Sequence, residues 1–153
     1  MPLYFAYDGL MDETALKALA PRATRLGLAR LPRHRLVPLG NGFATIRRDP
    51  RRAVEGTLYD IPFGDLAAVD RRAAGATKLN QPVITSNGAK LTLLHVPVES
   101  GASPTGKDRT QLAAAARAAG LPEAYCAEIE TGEPPKRKPG APLFAAPTTM
   151  LKR

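Results

Sequence analysis

The sequence has one cysteine, no tryptophan, and only four phenylalanines and four tyrosines. Because Cys126 is alone, no disulfide can form within the chain, which favours a reducing compartment. No His or Asp pattern accompanies Cys126, so a buried structural thiol is favoured over a nucleophile. Cys/His pairs with metal-ligand spacing are missing, as is a glycine-rich phosphate loop after a strand. We therefore expect neither a metal site nor a cofactor.

Targeting and membrane-spanning segments are also lacking. The first eight residues contain no basic segment, and Asp8 interrupts the apolar run early. No run of about 18 apolar residues could cross a bilayer. The sequence therefore predicts a cytoplasmic protein without a membrane partner.

The composition is that of an ordinary globular chain. Of its 153 residues, 44% are hydrophobic and 24% are charged, and a chain of this length can form one domain without disulfides. We predict a domain over residues 1–132. The remaining residues, 133–153, are rich in proline and basic side chains and are predicted to form a tail.

The net charge of +8 comes mostly from arginine. Nucleic-acid binders usually add aromatic platforms or a recognisable helix motif to such charge, and neither is visible here. A solvated basic surface is therefore favoured, and nucleic-acid binding is the weaker alternative. The residues that would serve it are Arg47, Arg48, Arg51, Arg52 and the tail segment Lys136-Arg137-Lys138.

Periodicity and turn residues predict an α+β domain with a mixed or antiparallel sheet and flanking helices. Helices are predicted after Asp12, over 65–74 and 108–119, and from Leu121. A polar loop is expected over 47–52, and Asn87-Gly88 is the strongest hairpin signal. The predicted strands cover residues 3–7, 26–39, 43–46, 53–61, 82–86 and 90–98.

Several segments together resemble the γ-glutamylcyclotransferase-like (AIG2-like) family. The likeness extends over roughly residues 3–130, and it depends on the order and spacing of its parts. These parts are Leu3-Tyr4-Phe5-Ala6-Tyr7 with its small-residue turn, Pro21-Arg22-Ala23, Ala44-Thr45-Ile46, Val54-Glu55-Gly56-Thr57-Leu58-Tyr59, Leu66-Ala67-Ala68-Val69-Asp70, and Gly120-Leu121-Pro122 with Tyr125.

The resemblance implies a small, partly closed β-barrel and an intramolecular reaction. In the family, the α-amine of a γ-glutamyl group attacks its own γ-carbonyl and releases 5-oxoproline, while a Glu transfers the proton. A Tyr-Gly-Ser-Asn-type loop after the first strand offers backbone N–H groups to the substrate carboxylate. The ligand expected here is therefore a small polar metabolite that is amino-acid-like or γ-glutamyl-like. The substrate-binding positions carried over are Tyr7, Asp8, Gly9, Leu10 and Met11.

Two positions depart from the family pattern. The Glu position falls on Ala73, or on Ala74 if Gly75 is aligned with the family glycine, and neither residue can move a proton. The loop contains Asp8, whose charge would repel a substrate carboxylate at ~4 Å by about 1 kcal/mol in water and by more in a drier site. We therefore predict that the standard activity is lost or altered. The alternative is a non-catalytic module that binds a ligand or a protein.

Asp8 itself has two interpretations. It could serve as the general acid/base for another substrate, or it could only form an Asx-type turn with the next backbone amides. Asp70 is expected to cap a helix or to pair with Arg22 or Arg25, and Glu55 is a weaker candidate. His95 is predicted to be a half-buried strand residue rather than a ligand.

Overall fold

The computed structural model describes residues 2–99 and 103–132. Five strands, four α-helices and one 3₁₀ helix are present in these ranges. The strands are β1 (Leu3–Ala6), β2 (Thr24–Pro38), β3 (Ala44–Asp60), β4 (Thr77–Thr85) and β5 (Gly88–Val96). The helices are the 3₁₀ helix Gly9–Met11, α1 (Glu13–Leu19), α2 (Phe63–Arg72), α3 (Gly106–Ala119) and α4 (Glu123–Thr131). The predicted tail over 133–153 lies outside the described residues.

The strands form a closed barrel in the order β1-β3-β2-β4-β5. Neighbouring strands are antiparallel except for β1 and β5, whose parallel contact is the single pair Tyr4 and Leu93. This architecture confirms the predicted α+β class and the small mixed barrel. No helix within residues 2–99 and 103–132 combines the length and apolar character needed to cross a membrane.

The polar loop predicted over 47–52 is wrong, because β3 continues through it. Arg47 and Arg48 pair with Arg35 and His34 of β2, so the two strands form a long ribbon. Polar residues occupy the strand here because cross-strand pairing outweighs their weak local preference. Between Pro32 and His34 the register shifts within the continuous strand β2, and Arg33 has φ +65° there.

Local sequence signals correctly placed most of the other helices and strands. Asp12 caps α1 by accepting a hydrogen bond from the Thr14 backbone N–H. Thr85 pairs with Gly88 across the Asn87-Gly88 turn, and Gly88 has φ +100°. Such backbone angles are readily available to glycine alone, which explains why this hairpin could be read from sequence.

Alternation along β1 divides the core into two clusters. Phe5 and Tyr7 face the cluster that includes barrel residues and helices α3 and α4, whereas Tyr4 and Ala6 face the one that includes α1 and α2. The strand is therefore buried on both sides, as its apolar sequence predicted. Its carboxyl end is held between packed layers, and the turn that follows is positioned by them.

Gly56 of β3 permits the close pairing of β1 and β3. A Cβ atom added at Gly56 would lie 2.2 Å from the backbone oxygen of Ala6 and 3.0 Å from the Phe5 ring. The obstacle includes rigid backbone, which cannot rotate away as a side chain could. Any larger residue would therefore push the two strands apart.

We predict that Gly56→Ala lowers the free energy of unfolding by about 1–3 kcal/mol, the usual cost of overpacking. Urea unfolding followed by circular dichroism measures the change. Gly106→Ala is the matched control, because a Cβ there meets nothing within 4 Å. Equal stability of the two variants would contradict the close packing of β1 and β3.

Candidate functional site

The turn after β1 is organised by the side chain of Asp8. Asp8 is the N-cap of the 3₁₀ helix, and its Oδ1 accepts a hydrogen bond from the Leu10 backbone N–H at 3.0 Å. This is the Asx-type turn that the sequence offered as an alternative to catalysis. Among the predicted substrate-binding residues, Tyr7, Asp8, Leu10 and Met11 are buried and Gly9 is half-buried.

Gly9 brings the turn against the loop between β2 and β3. Its backbone N–H donates to the Gly42 oxygen at 2.8 Å. A Cβ on Gly9 would lie 3.0 Å from that same oxygen. The small residue predicted in this turn is therefore required by a backbone contact with Gly42.

Arg72, the last residue of α2, neutralises Asp8. Its Nη1 donates to Asp8 Oδ2 at 3.0 Å, and its Nη2 donates to the Gly42 oxygen at 3.3 Å. The guanidinium lies over the Phe43 ring, 4.1 Å from the centroid, in a cation–π contact. The exposed fractions are 19% for the Arg72 side chain and 12% for that of Asp8, so solvent screens this ion pair only partly.

A cavity of about 360 Å³ opens beside Arg72. Among the described residues, Arg72 is the one charged residue that lines it, and Ala73, the position that the family resemblance assigns to the catalytic Glu, contributes a methyl group. Ala73 is buried as the C-cap of α2. The residues of the turn after β1 do not line this cavity, and Asp8 contacts Arg72 behind it. The lining residues are Phe43, Arg72, Ala73, Ala74, Gly75, Ala76, Pro97 and Val98.

His95 connects β5 to β1 and α2. The Tyr4 hydroxyl lies 2.9 Å from His95 Nδ1, and Asp70 Oδ1 lies 2.8 Å from His95 Nε2. The Tyr7 hydroxyl donates to the His95 backbone oxygen. A neutral ring that accepts from Tyr4 and donates to Asp70 satisfies both nitrogens. These bonds supplement the single ladder pair between β1 and β5.

Burial is the main cause that raises the pKa of Tyr4 and Tyr7 well above the usual value, and the nearby Asp8 carboxylate adds to it. Both hydroxyls therefore remain protonated hydrogen-bond donors at neutral pH. His95 is buried rather than half-buried as predicted, because these side chains and Asp70 surround it.

Asp70 does not pair with Arg22 or Arg25, so that expectation was wrong. Its second partner is Lys78, whose Nζ lies 3.1 Å from Asp70 Oδ2. Arg22 instead binds Asp65 at 2.8 Å, and Arg25 donates to the Ala119 backbone oxygen. The sequence could not show these partners, because each pairing joins residues distant in the chain.

Glu55 contacts α4, and Cys126 is a residue of that helix. The Glu55 backbone N–H donates to the Tyr125 hydroxyl, and burial raises the pKa of the Glu55 carboxyl, although Arg30 opposes the shift. Cys126 is buried, and burial raises the pKa of its thiol. Neither residue lines the cavity beside Arg72. The geometry of Cys126 fits the structural thiol that the sequence favoured.

Part of the basic surface is internally paired. Arg47 binds Glu99, and Arg52 binds Glu128. The basic segment Lys136-Arg137-Lys138 lies outside the described residues. Binding of nucleic acid stays a prediction, with less unpaired charge available to it than the sequence suggested. No cluster of three or more His, Cys, Asp or Glu side chains suited to a metal ion occurs within residues 2–99 and 103–132.

Comparison with known proteins identifies one family for this chain and one fold that it shares with solved structures. The family model described as gamma-glutamyl cyclotransferase, AIG2-like, matches residues 4–92, which is more than half of the chain. None of the curated proteins compared with the chain matches it significantly.

Three solved structures illustrate the shared fold. One described as a gamma-glutamyl cyclotransferase is 22% identical with a TM-score of 0.74, and 90% of each chain is covered. An uncharacterised protein from Homo sapiens is also 22% identical with a TM-score of 0.74, over 89% of this chain and 90% of that one. YkqA from Bacillus subtilis is 17% identical with a TM-score of 0.69, over 88% and 56%.

We predict a coupling free energy of about 1–3 kcal/mol between Asp8 and Arg72, as expected for a partly buried hydrogen bond between charged groups. Unfolding of Asp8→Ala, Arg72→Ala and the double variant measures it. The control is the exposed pair of Glu13 and Lys17 on α1, which should couple by less than about 0.5 kcal/mol. A coupling no larger than that of the control would show that the ion pair does not hold the site.

Cys126 should react slowly in the native protein. Its raised pKa leaves little thiolate at pH 8, and its burial blocks access. Alkylation by iodoacetamide, followed by intact mass, should be at least about tenfold slower in buffer than in urea. Equal rates in both solutions would contradict the structural role of this thiol.

Proposed function

This chain belongs to the gamma-glutamyl cyclotransferase, AIG2-like family, and we propose that it binds a small metabolite at the family's site without releasing 5-oxoproline. The observation that carries the proposal is the hydrogen bonding of Asp8. Its carboxylate occupies the Leu10 backbone N–H and the Arg72 guanidinium at once.

The family reaction needs a group that moves a proton. At neutral pH the α-amine of a γ-glutamyl group is mostly protonated, so a carboxylate must deprotonate it and later protonate the leaving amine. Ala73 has no such group, and the Ala74 of the alternative alignment has none either. Within the part of the chain that the structure describes, no carboxylate lines the cavity beside Arg72.

The negative charge of Asp8 in the turn after β1 also opposes binding of the family substrate, which itself bears a carboxylate. In relatives with a Gly-Ser-Asn loop, backbone N–H groups are available to the substrate carboxylate. Here the Asp8 carboxylate accepts from Leu10 instead, so an internal anion stands where an incoming anion would bind. Two lone carboxylates at ~4 Å repel each other by about 1 kcal/mol in water and by several times more in a dry site, and the ion pair with Arg72 reduces this repulsion.

Other carboxylates are poorly placed to replace the missing Glu. Asp70 is engaged by His95 and Lys78. Glu55 lies near α4, where its backbone is bonded to Tyr125. That Asp8 catalyses a reaction of a different substrate stays a prediction. The ion pair with Arg72 and the Asx turn already give this residue a structural role.

The purified protein should release no 5-oxoproline from γ-glutamyl-alanine above the buffer background. Liquid chromatography with mass spectrometry measures the product, and an active cyclotransferase of the same fold is the positive control. Clear turnover by the wild type would overturn the proposal. In that case Asp8→Asn would identify the catalyst: loss of turnover with an unchanged melting temperature would assign it to Asp8.

A further inference from the structure

We propose that the cavity beside Arg72 binds a small monocarboxylate without an α-ammonium group. The inference goes beyond the proposed function, because none of the residues of the turn after β1 lines this cavity. It depends on three features of the cavity: a fixed guanidinium, apolar walls, and the position of Asp8 outside the lining.

The Arg72 guanidinium has N–H groups beyond those that bond to Asp8 and Gly42. A guanidinium has five N–H groups, and the bonds to Asp8 and the Gly42 oxygen use two of them. Three N–H groups therefore remain on a side chain that lines the cavity. Because Asp8 and the Phe43 ring already hold the guanidinium, little conformational entropy is lost when a ligand binds. A fork of this kind matches a carboxylate better than a single point charge does.

The other side chains that line the cavity are apolar. The cavity volume of about 360 Å³ is at the lower end of the range of about 300–1,000 Å³ for ligand pockets. The Val98 side chain is 79% exposed, so a ligand that covers it removes apolar surface from water. The side chains available to an acyl chain are those of Phe43, Ala73, Ala74, Ala76, Pro97 and Val98.

Among the described residues, no acidic side chain lines the cavity to pair with an ammonium group. Asp8 lies behind Arg72, and both of its oxygens are already bonded. An α-ammonium would therefore be placed against alanine methyl groups and lose its hydration without an ion partner, which is costly. A plain carboxylate avoids this cost. The predicted ligand thus differs from a γ-glutamyl group, whose α-carbon bears both charges.

The test uses three matched probes of similar size: butyrate, the uncharged butyramide, and 2-aminobutyrate, which adds an α-ammonium. Titrations of the ¹⁵N-labelled full chain are followed by NMR. Butyrate should give saturable shifts at residues 72–76 and at Val98. Butyramide and 2-aminobutyrate should bind at least about tenfold more weakly, as expected for loss of a charged hydrogen bond or burial of an unpaired charge.

Variants of two adjacent arginines separate the site from general charge. Arg72→Gln should weaken butyrate binding at least about tenfold, and Arg72→Lys should weaken it because the fork is lost. Arg71→Gln removes an exposed charge one residue away and should leave binding unchanged. Arg72→Gln alone leaves the buried Asp8 carboxylate without its partner and could unfold the protein. The double variant Asp8→Asn with Arg72→Gln removes that carboxylate, so loss of butyrate binding in the double variant reports on Arg72 itself.

Any one of four results would overturn the inference: butyrate that does not saturate, butyramide that binds as tightly as butyrate, 2-aminobutyrate that binds as tightly as butyrate, or unchanged butyrate affinity in the double variant. These failures leave the proposed function intact as long as no 5-oxoproline is released. If the protein binds butyrate through Arg72 but also releases 5-oxoproline, the proposed function is overturned and the inferred carboxylate site is supported.

Discussion

The ion pair between Asp8 and Arg72 joins three parts of the molecule that are separate in sequence. Asp8 begins the turn after β1, Arg72 ends α2, and the Gly42 oxygen and Phe43 ring belong to the loop between β2 and β3. Without the guanidinium, a nearly buried carboxylate would lack its counter-ion, which is strongly unfavourable. Without Asp8, Arg72 would lose the contact that fixes it beside the cavity. The geometry of the site therefore follows from this pair.

The same pair supports our proposal that this chain does not carry out the family reaction. Ala73, at the position that the resemblance assigns to the catalytic Glu, has no group that can move a proton, and Asp8 carries a negative charge in the turn to which the resemblance assigns the substrate carboxylate. Arg72 pairs with Asp8 and also lines the cavity. These three positions are the basis of our proposal that the chain binds an anion but lacks the catalytic group of the family.

Sequence alone predicted features that arise from local chemistry. The apolar β1, the Asp12 cap and the Asn87-Gly88 hairpin each depend on neighbouring residues. The family resemblance gave the barrel and pointed to Ala73 and the turn after β1. Contacts between distant residues were missed: Arg72 and Asp8 are 64 positions apart, and no local pattern relates them. The strand over 47–52 was missed for the same reason, since only pairing with β2 reveals it.

The most direct test of the account is the affinity of γ-glutamyl-alanine for the wild type and for Asp8→Gly, measured by isothermal titration. Glycine is tolerated at an N-cap at a cost of a few tenths of a kcal/mol, and it frees both the Leu10 N–H and Arg72. Asp8→Asn removes the negative charge but keeps a side-chain oxygen for the turn, so it tests the effect of the charge apart from the turn geometry. We expect the wild type to bind at least about tenfold more weakly than Asp8→Gly. Equal or tighter binding by the wild type would contradict the claim that Asp8 stands in the place of the substrate carboxylate.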